Sequence, residues 1–96
     1  SQHFQAPEVK KLMDDNTLKY DGKRADVYSF GVMIGEILSE KSQKSFSISQ
    51  LDPKTVPETL ISLCQKCLDI EPSKRPTFDQ IVNHLEQEIC SLIEKN

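Results

Sequence analysis

Between Val27 and Leu38 only Ser29 and Glu36 are clearly polar, and Gly31 and Gly35 interrupt an otherwise apolar run. Wound as a helix, this stretch is apolar almost all round, and such a helix must be buried on most of its sides. A buried strand is the competing reading, but the length of the run favours a helix. It is too short to span a bilayer, which takes about 20 apolar residues. A chain of 96 residues built around such an element needs other amphipathic pieces to cover it.

Those pieces are present on both sides. Pro7 suits the first turn of a short helix, where its missing N–H costs nothing. Val9, Leu12 and Met13 give that helix an apolar edge, and the polar stretch from Asp14 to Thr17 ends it. Tyr20-Asp21-Gly22-Lys23 is a second turn signal. After the apolar run, residues 40–49 are rich in Ser, Lys and Gln and read as a loop. Pro57 and Glu58 open another helix, in which Leu60, Leu63, Cys64, Cys67 and Leu68 recur at three- and four-residue steps. Glu71-Pro72-Ser73 breaks it. Thr77 with Gln80 has the capping-box form, and Phe78, Ile81, Val82, Leu85, Ile89, Leu92 and Ile93 continue an apolar face. The expectation is an all-α fold, one unit over residues 1–96. It has about four helices and no sheet, with the run at 27–38 packed against both the Pro57 helix and the Phe78 helix.

Composition excludes several classes of function. The formal net charge is −3 with both signs interspersed, and the one basic cluster, Lys10-Lys11, is too short to make a nucleic-acid footprint. No secretory or targeting segment is legible, so neither nucleic acid nor membrane is an expected partner and a cytoplasmic location is the default. Three cysteines, an odd number, suit a reducing compartment better than a disulfide framework. Cys64 and Cys67 form a Cys-x-x-Cys, the spacing of zinc and redox sites. No second ligand pair follows at a suitable distance, since His84 and Cys90 are solitary, and core packing is the favoured role. His3 and His84 read as surface residues.

Three strings carry the functional reading: Ala6-Pro7-Glu8, Asp26-Val27-Tyr28-Ser29-Phe30-Gly31 and Pro72-Ser73-Lys74-Arg75-Pro76. In this order and spacing they resemble the C-terminal half of a eukaryotic protein kinase domain, from the end of the activation segment to the last helix. The resemblance covers nearly the whole chain. Tyr28, Leu68 and the string from Arg75 to Phe78 look most like the tyrosine-kinase-like group of Ser/Thr kinases.

The resemblance implies roles residue by residue. Ser1 falls where the family has a Thr or Ser beside its catalytic Asp, and Phe4 where Ser/Thr kinases carry an aromatic residue in the substrate pocket. Glu8 is implied to pair with Arg75. A planar guanidinium grips a carboxylate in two-pronged fashion, as Lys cannot. Read without the family, Glu8 complements a helix N-terminus and Arg75 is solvated. Asp26 matches the residue that anchors the catalytic loop; capping its own helix, meeting water or remaining poorly satisfied are the alternatives. Only residues 40–56, seventeen in all, separate the central helix from the Pro57 helix. Kinases usually have more here, so docking roles assigned to that region do not carry over.

The absences matter as much. Phosphoryl transfer needs a Gly-rich loop, a strand Lys, a catalytic Asp, and Asp and Asn ligands for magnesium. The three glycines stand at 22, 31 and 35 in no phosphate-cradling pattern, and neither His-Arg-Asp nor Asp-Phe-Gly occurs. The chain starts at Ser1, just ahead of the Ala-Pro-Glu string, which suits a fragment. No catalytic, cofactor or metal residue is expected here; ATP and magnesium belong to a parent kinase. Two functional readings remain open. One is a C-lobe part of a Ser/Thr kinase that acts on protein hydroxyls, its partner being the rest of the kinase domain. The other is a stand-alone, kinase-derived interaction module with a protein partner. An unrelated four-helix bundle is the third, disfavoured by the ordered motifs.

Overall fold

A computed structural model of the chain describes residues 4–14, 21–39, 49 and 51–94. Ser1, His3 and most of the loop after the central helix lie outside the described residues. Four α-helices follow in order, with no strand among the described residues: α1 (Pro7–Asp14), α2 (Gly22–Ser39), α3 (Glu58–Cys67) and α4 (Phe78–Glu94), with a 3-10 turn at Pro72–Lys74 before the last.

The helix starts follow local chemistry. Pro7 opens α1, and the Ala6 carbonyl accepts the N–H groups of Val9 and Lys10 at 3.0 and 3.2 Å. Asp21 caps α2, its Oδ1 accepting the N–H of Lys23 at 3.0 Å and of Arg24 at 3.4 Å. A short acceptor side chain is favoured there because it satisfies N–H groups that have no intrahelical partner. At α4 the capping box is reciprocal: Gln80 N–H donates to Thr77 Oγ1 at 3.2 Å, and Thr77 N–H donates to Gln80 Oε1 at 2.9 Å.

The core joins three helices. Val27 of α2, Leu63 and Cys67 of α3, and Ile81 of α4 form its buried centre, with Phe30 and Leu85 packed against it. The Phe30 and Phe78 rings meet edge to face with centroids 5.9 Å apart, a favoured aromatic geometry. Both helix partners expected for the central run are therefore in place. Its burial is narrower than expected. Ala25, Val27, Gly31, Val32 and Gly35 are buried, yet Met33 is 44% exposed and Ile37 62%. The described elements gather on one side of α2 and leave its far side open.

The apolar face of α4 is likewise only half used. Ile81 is buried and Leu85 half-buried, but Val82, Ile89, Leu92 and Ile93 are exposed. For Ile89, Leu92 and Ile93 the cause is length. Helix α3 runs antiparallel to α4, with Cys67 near Ile81 at one end and the Thr59 hydroxyl donating to Glu88 Oε1 at the other. Beyond Glu88, α4 passes the start of α3 and has nothing of it left to pack on.

Cys64 and Cys67 are core residues, as their stripe implied. Both are buried, and the Cys64 thiol points to the Gly31 carbonyl at 3.8 Å. Burial pushes the Cys64 thiol up to about 11 and the Cys67 thiol up to about 12. Cys90 is exposed. Since only the thiolate alkylates, iodoacetamide at pH 8 is expected to modify Cys90 alone in the native chain and all three thiols in urea. Mass spectrometry of the labelled peptides reads the result.

Candidate functional site

Arg75 organises the described structure. Its side chain is fully buried, and every other buried side chain among the described residues is apolar. Burying a guanidinium is costly unless its charge is paired and its donors are met. Here Nη1 donates to Glu8 Oε2 at 2.6 Å and Nη2 to Glu8 Oε1 at 2.8 Å, a two-pronged ion pair. Nε donates to the Asp69 carbonyl at 2.8 Å, and Nη1 also to the Arg24 carbonyl at 3.0 Å. The Tyr28 ring lies against the guanidinium, 5.0 Å from its centroid, within cation–π range.

One side chain thus ties four pieces together: α1 through Glu8, the start of α2 through Arg24 and Tyr28, the end of α3 through Asp69, and its own turn. Arg24 returns the contact, its Nη1 donating to the Arg75 carbonyl. The Arg75 hydrogen bonds hold the Glu8 carboxyl below its ordinary value, against a smaller opposing effect of burial. The segment ahead of α1 has a second tether, the Ser29 hydroxyl donating to the Phe4 carbonyl at 2.8 Å.

Of the residues singled out from sequence, Glu8 and Arg75 are brought together. Phe4 is half-buried beside α2. Ser1 lies outside the described residues. Asp26 is exposed and has no hydrogen-bond or ion-pair partner among the described residues. It does not cap α2; Asp21 does. The helix begins at Gly22, so Asp26 falls past the first turn, where N–H groups already have intrahelical partners. Sequence reasoning missed Arg24, Tyr28 and Ser29 as contributors to this site. Ser29 carried a signal, because a polar residue inside an apolar run must find a partner.

Comparison with known proteins agrees with this geometry. The profile of the protein tyrosine and serine/threonine kinase family matches residues 2–85. The dual specificity protein kinase zak2 of Dictyostelium discoideum is 31% identical over 93 residues, covering 97% of this chain and 13% of zak2. A mitogen-activated protein kinase kinase kinase of Drosophila melanogaster is 35% identical over 82 residues, covering 72% of this chain and 7% of the relative. A probable inactive serine/threonine-protein kinase of Dictyostelium is 31% identical over 103 residues, covering 93% and 8% respectively. The chain spans 13% or less of the length of these relatives. With its helical described fold and the ion pair of buried Arg75 with Glu8, the chain belongs to the protein tyrosine and serine/threonine kinase family.

Proposed function

We propose that these residues are the helical subdomain of a Ser/Thr kinase C-lobe, of the tyrosine-kinase-like group, supporting an active site built elsewhere in a longer parent. The parent transfers a phosphoryl group from ATP to protein hydroxyls, in the cytoplasm. The observation that carries this reading is the two-pronged Glu8–Arg75 pair. It fastens the end of the activation segment, with Phe4 and Ser1 ahead of it, to the helical core. In that setting Ser1 and Phe4 line the substrate pocket, and Asp26 holds the backbone of the catalytic loop through charge-assisted bonds. Its exposure and lack of a partner among the described residues suit a group whose acceptors are used by another segment. The open sides of α2 at Met33 and Ile37 suit cover by the rest of the same domain.

In this reading ATP and magnesium are held by the longer parent. No cluster of three or more His, Cys, Asp or Glu side chains that could hold a metal occurs among the described residues. No described helix is long and apolar enough to cross a membrane. A second reading, a non-catalytic interaction module, draws on the relative described as a probable inactive kinase.

One measurement tests both readings and a second separates them. The 96-residue chain is expected to show no saturable thermal shift with Mg-ATP and no radiolabel transfer to a generic protein substrate. The parent transcript read upstream of Ser1 is expected to encode the Gly-rich loop, His-Arg-Asp and Asp-Phe-Gly, and that longer protein to transfer label. A start codon immediately before Ser1 would favour the module. Transfer by the 96 residues alone, lost on a substitution within them, would overturn both.

A further inference from the structure

Between the first turn of α2, the last turn of α3 and the 3-10 turn before α4 lies a hollow of about 560 Å³, within the usual size range of ligand pockets. Arg24, Lys66, Lys74 and Arg75 line it, and no aspartate or glutamate does among the described residues. The Arg75 charge is neutralised by Glu8. The other three are not. Lys66 and Lys74 are exposed and have no ion-pair partner among the described residues, and Arg24 donates to a neutral carbonyl.

Asp21, Asp26 and Asp79 line an adjoining hollow that shares Arg24, and no acid forms an ion pair with Arg24, Lys66 or Lys74 among the described residues. Asp69 Oδ1 accepts the Glu71 N–H, Glu71 accepts the Ser73 hydroxyl, and Glu88 accepts the Thr59 hydroxyl. In a chain of net charge −3, three uncompensated cations around one hollow run against the average charge. Like charges so gathered repel, and an anion between them relieves that repulsion.

His84 lines the same hollow and departs from its expected surface position. It is half-buried, and its Nε2 is closed off without a hydrogen-bond partner, 4.0 Å from Glu88 Oε1. Orphaned buried polar atoms are uncommon and call for an explanation.

The arrangement also limits which anion fits. A nucleic acid or an anionic membrane needs an extended basic face, whereas here three unpaired cations gather at one hollow in a chain of net charge −3. Three cations suit a group with about two negative charges and three acceptor oxygens, which is a phosphate monoester. The hollow is larger than a phosphate alone requires. Ile70, 78% exposed, sits in the connection between Lys66 and Lys74 and offers apolar contact to a neighbouring residue. We infer that this hollow binds a phosphorylated serine on a peptide segment, with Lys66, Lys74 and Arg24 around the phosphate. The inference stands apart from the catalytic assignment and does not depend on it.

The test is a titration of the isotope-labelled chain followed by amide NMR at physiological salt, where a dispersed spectrum first establishes that each variant is folded. The probes are a short phosphoserine peptide without other charged side chains, the same peptide with plain serine, and inorganic phosphate. Saturable shifts are expected at Lys66, Lys74 and Thr77 with the phosphopeptide and, more weakly, with inorganic phosphate, and none with the serine peptide. Lys66→Gln combined with Lys74→Gln should weaken phosphopeptide binding roughly tenfold or more, as loss of charged hydrogen bonds does. Lys10→Gln with Lys54→Gln should leave it unchanged. Equal response to the serine peptide, shifts spread over all lysines alike, or full binding by the Lys66/Lys74 variant would each overturn the inference. A response to inorganic phosphate with none to the phosphopeptide would overturn the peptide assignment.

Discussion

Glu8→Ala is expected to destabilise the chain by about 3–5 kcal/mol, the usual cost of leaving a buried charge without its partner. The Arg75 side chain is fully shielded from solvent while the Glu8 side chain is 18% exposed, so water entering at the vacated carboxylate holds the loss toward the lower end of that range. Without Glu8, the guanidinium keeps two backbone carbonyls and the Tyr28 ring but nothing to neutralise it. Arg75→Lys should cost less. It retains a charge near Glu8 but loses the two-pronged grip and the reach to both carbonyls. A urea midpoint for each variant reads the difference, and a Glu8→Ala midpoint equal to the parent's would show that the pair contributes nothing to the fold.

The same pair makes a pH prediction. The Glu8 carboxyl is lowered from an ordinary value of 4.5 in the folded chain. A group depressed by folding contributes stability that is fully present above its unfolded value. That contribution is lost as pH falls below 4.5 and through the lower folded value. Stability of the parent chain should therefore fall across that acidic window, and more steeply than that of Glu8→Gln.

The helices and their starts were legible because their causes are local. Pro7, the Thr77–Gln80 box and the three- and four-residue apolar spacing of α3 each act within a turn or two. The Glu8–Arg75 pairing was reached through family resemblance; the residues alone left a solvated arginine open. Two things stayed hidden because they depend on relative lengths of elements far apart in sequence. One is that α4 outruns α3, exposing Ile89, Leu92 and Ile93. The other is that α2 is covered on one side only. The start of α2 was misplaced for a different reason. Lys23 and Arg24 are charged and broke the apolar pattern, while Asp21 supplied a cap six residues ahead of the apolar run. Two of the four partners of Arg75 were invisible because they are the backbone carbonyls of Arg24 and Asp69, a group that every residue carries.

Gly31→Ala is expected to cost about 1–3 kcal/mol, the range for forcing extra volume into a packed core. In an exposed helix the same change would be mildly stabilising, because Gly is a poorer helix former than Ala. The sign reverses here because α2 and α3 meet closely at this point. A Cβ at position 31 would lie 2.7 Å from Cys67 Cβ, and 3.2 and 3.4 Å from Leu68 Cδ2 and Cγ. The Leu68 end is a flexible side chain and can yield; Cys67 Cβ is fixed to the α3 backbone, so relief needs the helices to part. Parting them disturbs the Val27–Leu63–Cys67–Ile81 centre and the Cys64 thiol contact to the Gly31 carbonyl. A specific pattern follows for second-site changes. Leu68→Ala should recover little of the loss, and Cys67→Ala none, because alanine keeps the offending Cβ. Midpoints of thermal unfolding for the single and double variants test this. Rescue of Gly31→Ala by Cys67→Ala would place the clash at the sulfur and not at the backbone-fixed carbon, and a stabilised Gly31→Ala would show that the two helices do not meet as closely as 2.7 Å.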